Sequence, residues 1–121
     1  PAPGIRGRMT GPIYSLAHRD RAEAGIVRVF RDAGATVLKH SGKDEPDLFV
    51  GFHGAWHAVE VKSGDKAKLS PGQIEWHAAC QGEPVQIARS VEEAVHLVKV
   101  WRSAAAVQRE RDRRVDEMEA P

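Results

Sequence analysis

Cysteine is almost absent from this chain: Cys80 is the only one in 121 residues. A single thiol excludes an intramolecular disulfide framework and a cysteine-rich zinc centre, and it fits a reducing interior. Long apolar runs are missing as well. No stretch reaches the roughly 18 apolar residues that a membrane span needs. The segment Pro1–Gly11 carries Arg6 and Arg8 with no apolar run behind them, so no secretory signal is expected. The cytoplasm, bacterial or that of a virus's host, is the expected compartment. A net charge of either sign is also lacking, since 18 Lys and Arg face 17 Asp and Glu. That balance argues against a simple polyanion binder, which carries a large basic excess.

The charges that are present are segregated. Residues 1–43 hold eight basic and three acidic side chains, a surplus of five positive charges. Residues 102–121 balance, so the middle, 44–101, carries four excess negative charges. A basic first third and an acidic middle differ from even neutrality, and the middle acids need an account. At 41% apolar and 29% charged residues, the chain supports one modest core under a charged surface, hence one domain.

Residues 1–14, rich in proline and glycine, read as a flexible arm. Ser15 caps a helix that runs to about Ala33, where Gly34 stops it, with Ala22, Ile26, Phe30 and Ala33 at helical spacing. Strands follow at 35–39, 47–52 and 55–62, the last two joined by a two-residue turn at His53-Gly54. Ser70-Pro71-Gly72-Gln73 combines an N-cap serine, a first-turn proline and a glutamine at the third helical position, so a helix runs from here to about Gln81. A strand at 85–89 and a helix from Val91 to about Trp101 close the domain. The charged tail, 103–121, lacks a sustained apolar stripe and reads as a helix extension or a loose tail. The predicted class is therefore α/β: a central mixed sheet, its first three strands an antiparallel meander, flanked by helices.

Alternation along the third strand puts Trp56, Ala58, Glu60 and Lys62 on one face and Val59 and Val61 on the other. With the turn at 53–54, Asp47 pairs with residues 60–61. Two carboxylates and an ammonium then share one sheet end. Hard oxygen ligands suit Mg²⁺, and a neighbouring lysine stabilises developing negative charge. The reaction class that uses this set is metal-assisted phosphodiester hydrolysis. Glu23 falls on the first helix with Val27 and Phe30, at the edge of the apolar stripe. It is either a surface acid or a fourth member of the set.

The string Glu-Pro-Asp47, then Glu60-Val-Lys62, resembles the signature of the PD-(D/E)XK nucleases. Leu69-Ser-Pro-Gly-Gln73-Ile-Glu-Trp76, Gly82-Glu-Pro-Val and Ile-Ala-Arg-Ser-Val-Glu-Glu resemble the VRR-NUC branch of that superfamily, and the likeness covers residues 20–100. It implies a restriction-endonuclease-like αβββαβ core over residues 15–102 and a nuclease using Mg²⁺ or Mn²⁺. By position it implies Asp47, Glu60 and the Val61 carbonyl as metal ligands, with Glu23 as a further acid. Lys62 matches the catalytic lysine and Gln73 the glutamine of the following helix. His77 stands where related exonucleases carry a tyrosine, which favours a structure-selective endonuclease in repair, recombination or phage replication. The Ser-Gly-x-x-x-Pro-Asp opening also resembles archaeal Holliday-junction resolvases, implying a homodimer as the alternative. A further alternative is a nuclease-like module that holds DNA or a protein partner without cutting.

Arg19, Arg21, Lys43, Lys66 and Lys68 are candidate phosphate contacts, or ordinary solvated charge. The capping box alone would explain Gln73. His53 and His57, four apart, lack the cysteine or third histidine of a zinc site. His18 and His77 read as surface residues or phosphate contacts. Trp76 and Trp101 read as core, Trp56 as core or cleft lining, and Cys80 as a small buried residue.

Overall fold

A computed structural model describes residues 21–121. Helix α1 covers residues 21–32 of the described chain. Strands β1 (Thr36–Lys39), β2 (Leu48–Phe52) and β3 (Ala55–Val61) follow, then α2 (Pro71–Ala79), β4 (Gln86–Ala88) and α3 (Val91–Glu119). The four strands form one mixed sheet in the order β1-β2-β3-β4, antiparallel except for the parallel β3–β4 pair. The expected α/β meander with a crossover through α2 is what the chain adopts. Ser15, His18 and Arg19 lie outside the described residues.

Local chemistry sets the element ends. Gly34, at φ +94°, takes the left-handed backbone that ends α1. His53 and Gly54 both have positive φ, so the β2–β3 turn has the twist that suits a two-residue hairpin and leaves Phe52 opposite Ala55. At α2, Ser70 Oγ accepts from the Gln73 amide while Gln73 Oε1 accepts from the Ser70 amide, a complete capping box. At α3, Ser90 Oγ caps the Glu93 amide, but the Glu93 carboxylate accepts from the Arg89 amide instead of that of Ser90.

The core lies on one face of the sheet. Ile26, Val27 and Phe30 of α1 meet Val37, Leu48, Val50, Phe52, Val59, Val61 and Ala88 of the strands, with Ala94, Leu97, Val98 and Trp101 of α3. Phe30 and His57 each stack on Trp101, at 5.4 and 4.0 Å between ring centroids. His57 Nδ1 also lies 3.1 Å from both carboxylate oxygens of Glu83. That partner lets a polar ring sit on the buried side of β3.

Three details depart from the sequence expectation. Trp76 is half-buried and not core, because α2 buries none of its residues fully. Cys80 is also half-buried, at the C-cap of α2, where the helix ends two residues early. Helix α3 does not stop near Trp101 but runs on to Glu119. Beyond Trp101 it buries nothing, and it is laced by ion pairs of Arg113 with Glu110 and Glu117 and of Arg114 with Glu110. Among the described residues no helix is long and apolar enough to cross a membrane.

Candidate active site

The β2–β3 register places the site. Leu48 pairs with Val59, so the next step outward sets Asp47 opposite Glu60. Both side chains leave the sheet on the face away from the core. Asp47 Oδ2 accepts from the Val61 amide at 2.8 Å, which fixes one carboxylate beside the next strand. Glu60 is fully buried and Asp47 is 7% exposed. Glu60 is therefore not a solvated surface acid. Buried carboxylates are stable only with strong partners.

Those partners come from α2. Gln73 donates through Nε2 to Glu60 Oε1 at 2.9 Å and accepts through Oε1 from Lys62 Nζ at 2.8 Å. One amide thus ties the acid to the base, and the same oxygen closes the capping box. The sequence offered capping or a site role for Gln73, and the structure gives it both contacts. One helical turn on, His77 Nε2 lies 3.7 Å from Glu60 Oε2, too long for a hydrogen bond. Burial, and secondarily the Lys62 ammonium, hold the His77 imidazole below its usual pKa. Both effects favour the neutral imidazole beside Glu60. The i, i+4 spacing of His77 from Gln73 was the available sequence signal for this neighbourhood.

Two flanking loops carry the expected basic residues. Lys66 and Lys68 are exposed on the loop after Lys62, and Arg89 holds that loop by donating to the Gly64 carbonyl at 3.0 Å and to the Ala67 carbonyl. Lys43 is exposed on the loop before Asp47. That loop docks on the start of α2, where Ser70 Oγ lies 3.3 Å from Asp44 Oδ1, and a Cβ at Gly72 would collide with the Asp44 carboxylate. The Asp44 and Arg89 contacts are not visible in any sequence pattern, since they join residues 22 to 26 apart. Arg21 is exposed on α1, in the helical layer behind the sheet, and Glu23 is half-buried there. Among the described residues no three His, Cys, Asp or Glu side chains are grouped to hold a metal ion. His53 is exposed at the hairpin turn and His57 is buried against Trp101, which disposes of a zinc pair.

A solved structure described as a VRR_NUC domain superposes on this chain with a TM-score of 0.61 and 26% identity, covering 68% of this chain and 95% of its own. The likeness supports a VRR-NUC family assignment. No protein-family model and no curated protein matches the chain. A VRR-NUC domain is a nuclease-like hydrolase unit, and the mixed sheet with its three helices agrees with that fold.

Proposed function

We propose that this VRR-NUC domain, residues 15–102, is a divalent-metal-dependent endonuclease that hydrolyses DNA phosphodiester bonds. The observation that carries the reading is the cross-strand pair Asp47–Glu60, buried under α2 with Lys62 held beside it by Gln73. A purely structural site has little reason to bury two adjacent carboxylates on the sheet face away from the core.

The donor set fits a hard cation. Mg²⁺ binds through one or two carboxylates and keeps several waters and phosphate oxygens, so two acids and the Val61 carbonyl suffice. Glu23 is the further acid of the proposed set. When bound, the metal polarises the scissile phosphate and lowers the pKa of its water. The chain's own residues do the rest. Lys62 offers an ammonium to the negative charge that develops on the attacked phosphate. Gln73 fixes that ammonium and orients Glu60. Lys43, Lys66 and Lys68 flank the site as phosphate contacts, with Arg21 and Arg19 as outlying ones. Branched or structured DNA is the favoured substrate, in repair, recombination or phage replication, in a cytoplasmic setting.

A panel of linear, flapped and four-way-junction DNAs incubated with Mg²⁺ or Mn²⁺ tests the reading, with Lys62→Ala as control. Cleavage by wild type and not by the control is expected; equal behaviour of the two overturns it. Symmetric paired nicks on the junction, together with a dimer in solution, would favour the resolvase-type alternative.

A further inference from the structure

The sheet has a second face, and among the described residues it is largely open. Reading across β1, β2 and β3, the row nearest the hairpin is Thr36, Gly51 and Trp56, and the next is Leu38, Phe49 and Ala58. The row after that holds the Asp47–Glu60 pair. Helices α1 and α3 pack on the opposite face, and α2 reaches this one over Glu60 and Lys62. Leu38 is therefore 52% exposed and Trp56 56% exposed. Exposed apolar groups scattered singly are ordinary; a floor of Leu38, Phe49 and Trp56 running up to a carboxylate pair is not.

Trp56 is also supported. Its ring lies against Gly51, where an added Cβ would sit 3.1 to 3.3 Å from three of its atoms. A glycine in a strand interior costs stability, and here it makes room for an indole laid over the sheet. The ring is thus held from below with its other side open to solvent. Its Cα is four residues from Glu60, about 13 Å along the strand. That distance is roughly four steps of a stacked nucleic-acid strand.

We propose that Trp56, on its Gly51 seat, is a stacking platform for an unpaired nucleobase within about four nucleotides of the scissile phosphate, with Phe49 and Leu38 as the apolar floor between. The occupant is nucleic acid and not a second copy of this chain because the floor is continuous with the proposed phosphodiester site on the same three strands. A paired base has both its faces covered by its neighbours in the stack. A π-face held to one side therefore selects a splayed or single-stranded nucleotide. The inference rests on the nuclease reading and narrows its substrate to DNA with an unpaired segment beside the cut.

The test is binding without cleavage, in EDTA, with 2-aminopurine placed at successive positions of single-stranded and splayed DNAs. Wild type is expected to quench the probe within about four nucleotides of the junction and not ten away, and to prefer splayed DNA over blunt duplex. Trp56→Leu keeps an apolar strand residue without the π-face. It should lose the quenching and weaken binding to splayed DNA about tenfold, within the range that base–aromatic stacking supports, at an unchanged thermal midpoint. Trp56→Phe should retain part of both. Unchanged quenching and affinity in Trp56→Leu, with salt-dependent binding intact, overturns the platform alone. A wild-type dimer that Trp56→Leu converts to a monomer also overturns it, by assigning the face to self-association. Failure of wild type to bind any of these DNAs in EDTA overturns the platform, while cleavage in Mg²⁺ remains the separate test of the nuclease reading.

Discussion

Replacing Gln73 by alanine is the perturbation from which the structure yields the most definite number. The side chain makes three hydrogen bonds: from the Ser70 amide at 2.9 Å, from Lys62 Nζ at 2.8 Å and to Glu60 Oε1 at 2.9 Å. The first is exposed and is half of a capping box, worth somewhat less than the ~1 kcal/mol of a full cap. The other two have charged partners and are each worth roughly 1.5–3 kcal/mol where solvent is excluded. Lys62 is only half-buried, so the low end applies to both. The sum is about 3.5 kcal/mol, or roughly 14 °C in thermal midpoint for a domain of this size. Ser70→Ala is the internal control. It removes the cap oxygen but leaves Gln73 between Glu60 and Lys62, and should cost only about 1 kcal/mol. Urea unfolding of the three proteins gives the comparison directly. If Gln73→Ala is no more destabilising than Ser70→Ala, the amide does not bridge acid and base, and this description of the site is wrong.

Three further outcomes follow from the same structure. Phe30 is fully buried and stacked on Trp101, so Phe30→Ala should cost about 3–5 kcal/mol in urea unfolding, while a substitution at exposed Met118 should cost almost nothing. Deleting residues 104–121 should move the thermal midpoint by only a few degrees, because α3 buries nothing beyond Trp101; a collapse of the fold would contradict that. The far end of α3 should also lose helix in acid. Hydrogen bonds from Arg113 first and Arg114 second hold the Glu110 carboxyl below its usual pKa. A depressed carboxylate pKa contributes above the unfolded value and is lost as pH falls through the folded one. Circular dichroism at 222 nm should therefore decline below about pH 4, and high salt at neutral pH should weaken the same segment.

Much of the fold was legible because local signals agreed with one another. The Ser70-Pro71-Gly72-Gln73 start, the His53-Gly54 turn and the alternation along 55–62 each fix one element, and together they set the register that brings Asp47 to Glu60. Two kinds of feature were not legible. Trp76 read as core because apolar character was its only cue, yet α2 lies over a polar site and leaves that ring half-buried. The tail beyond Trp101 read as ambiguous because helices without an apolar stripe draw on i, i+4 ion pairs, and these show as mixed charge as readily as they would in a loose tail. Within the site, Asp47, Glu60 and Lys62 were readable from strand geometry. The burial of Glu60, the proximity of His77 and the loop clamps of Asp44 and Arg89 depend on how α2 and β4 pack, which no spacing encodes. The near-zero net charge is of the same kind. It conceals a basic first third and an acidic middle in which two of the acids, Asp47 and Glu60, are buried side by side.

Whether Asp47 and Glu60 serve a divalent cation in phosphodiester cleavage is decided by single-turnover cleavage of an end-labelled DNA with an unpaired segment, at fixed Mg²⁺, by wild type and Glu60→Gln. Glutamine preserves the length of the side chain and removes its charge. Wild type should give Mg²⁺-dependent product, and Glu60→Gln should lose at least a hundredfold in rate at a similar fold stability. Equal rates in the two proteins, or wild-type cleavage that persists in EDTA, would contradict that role.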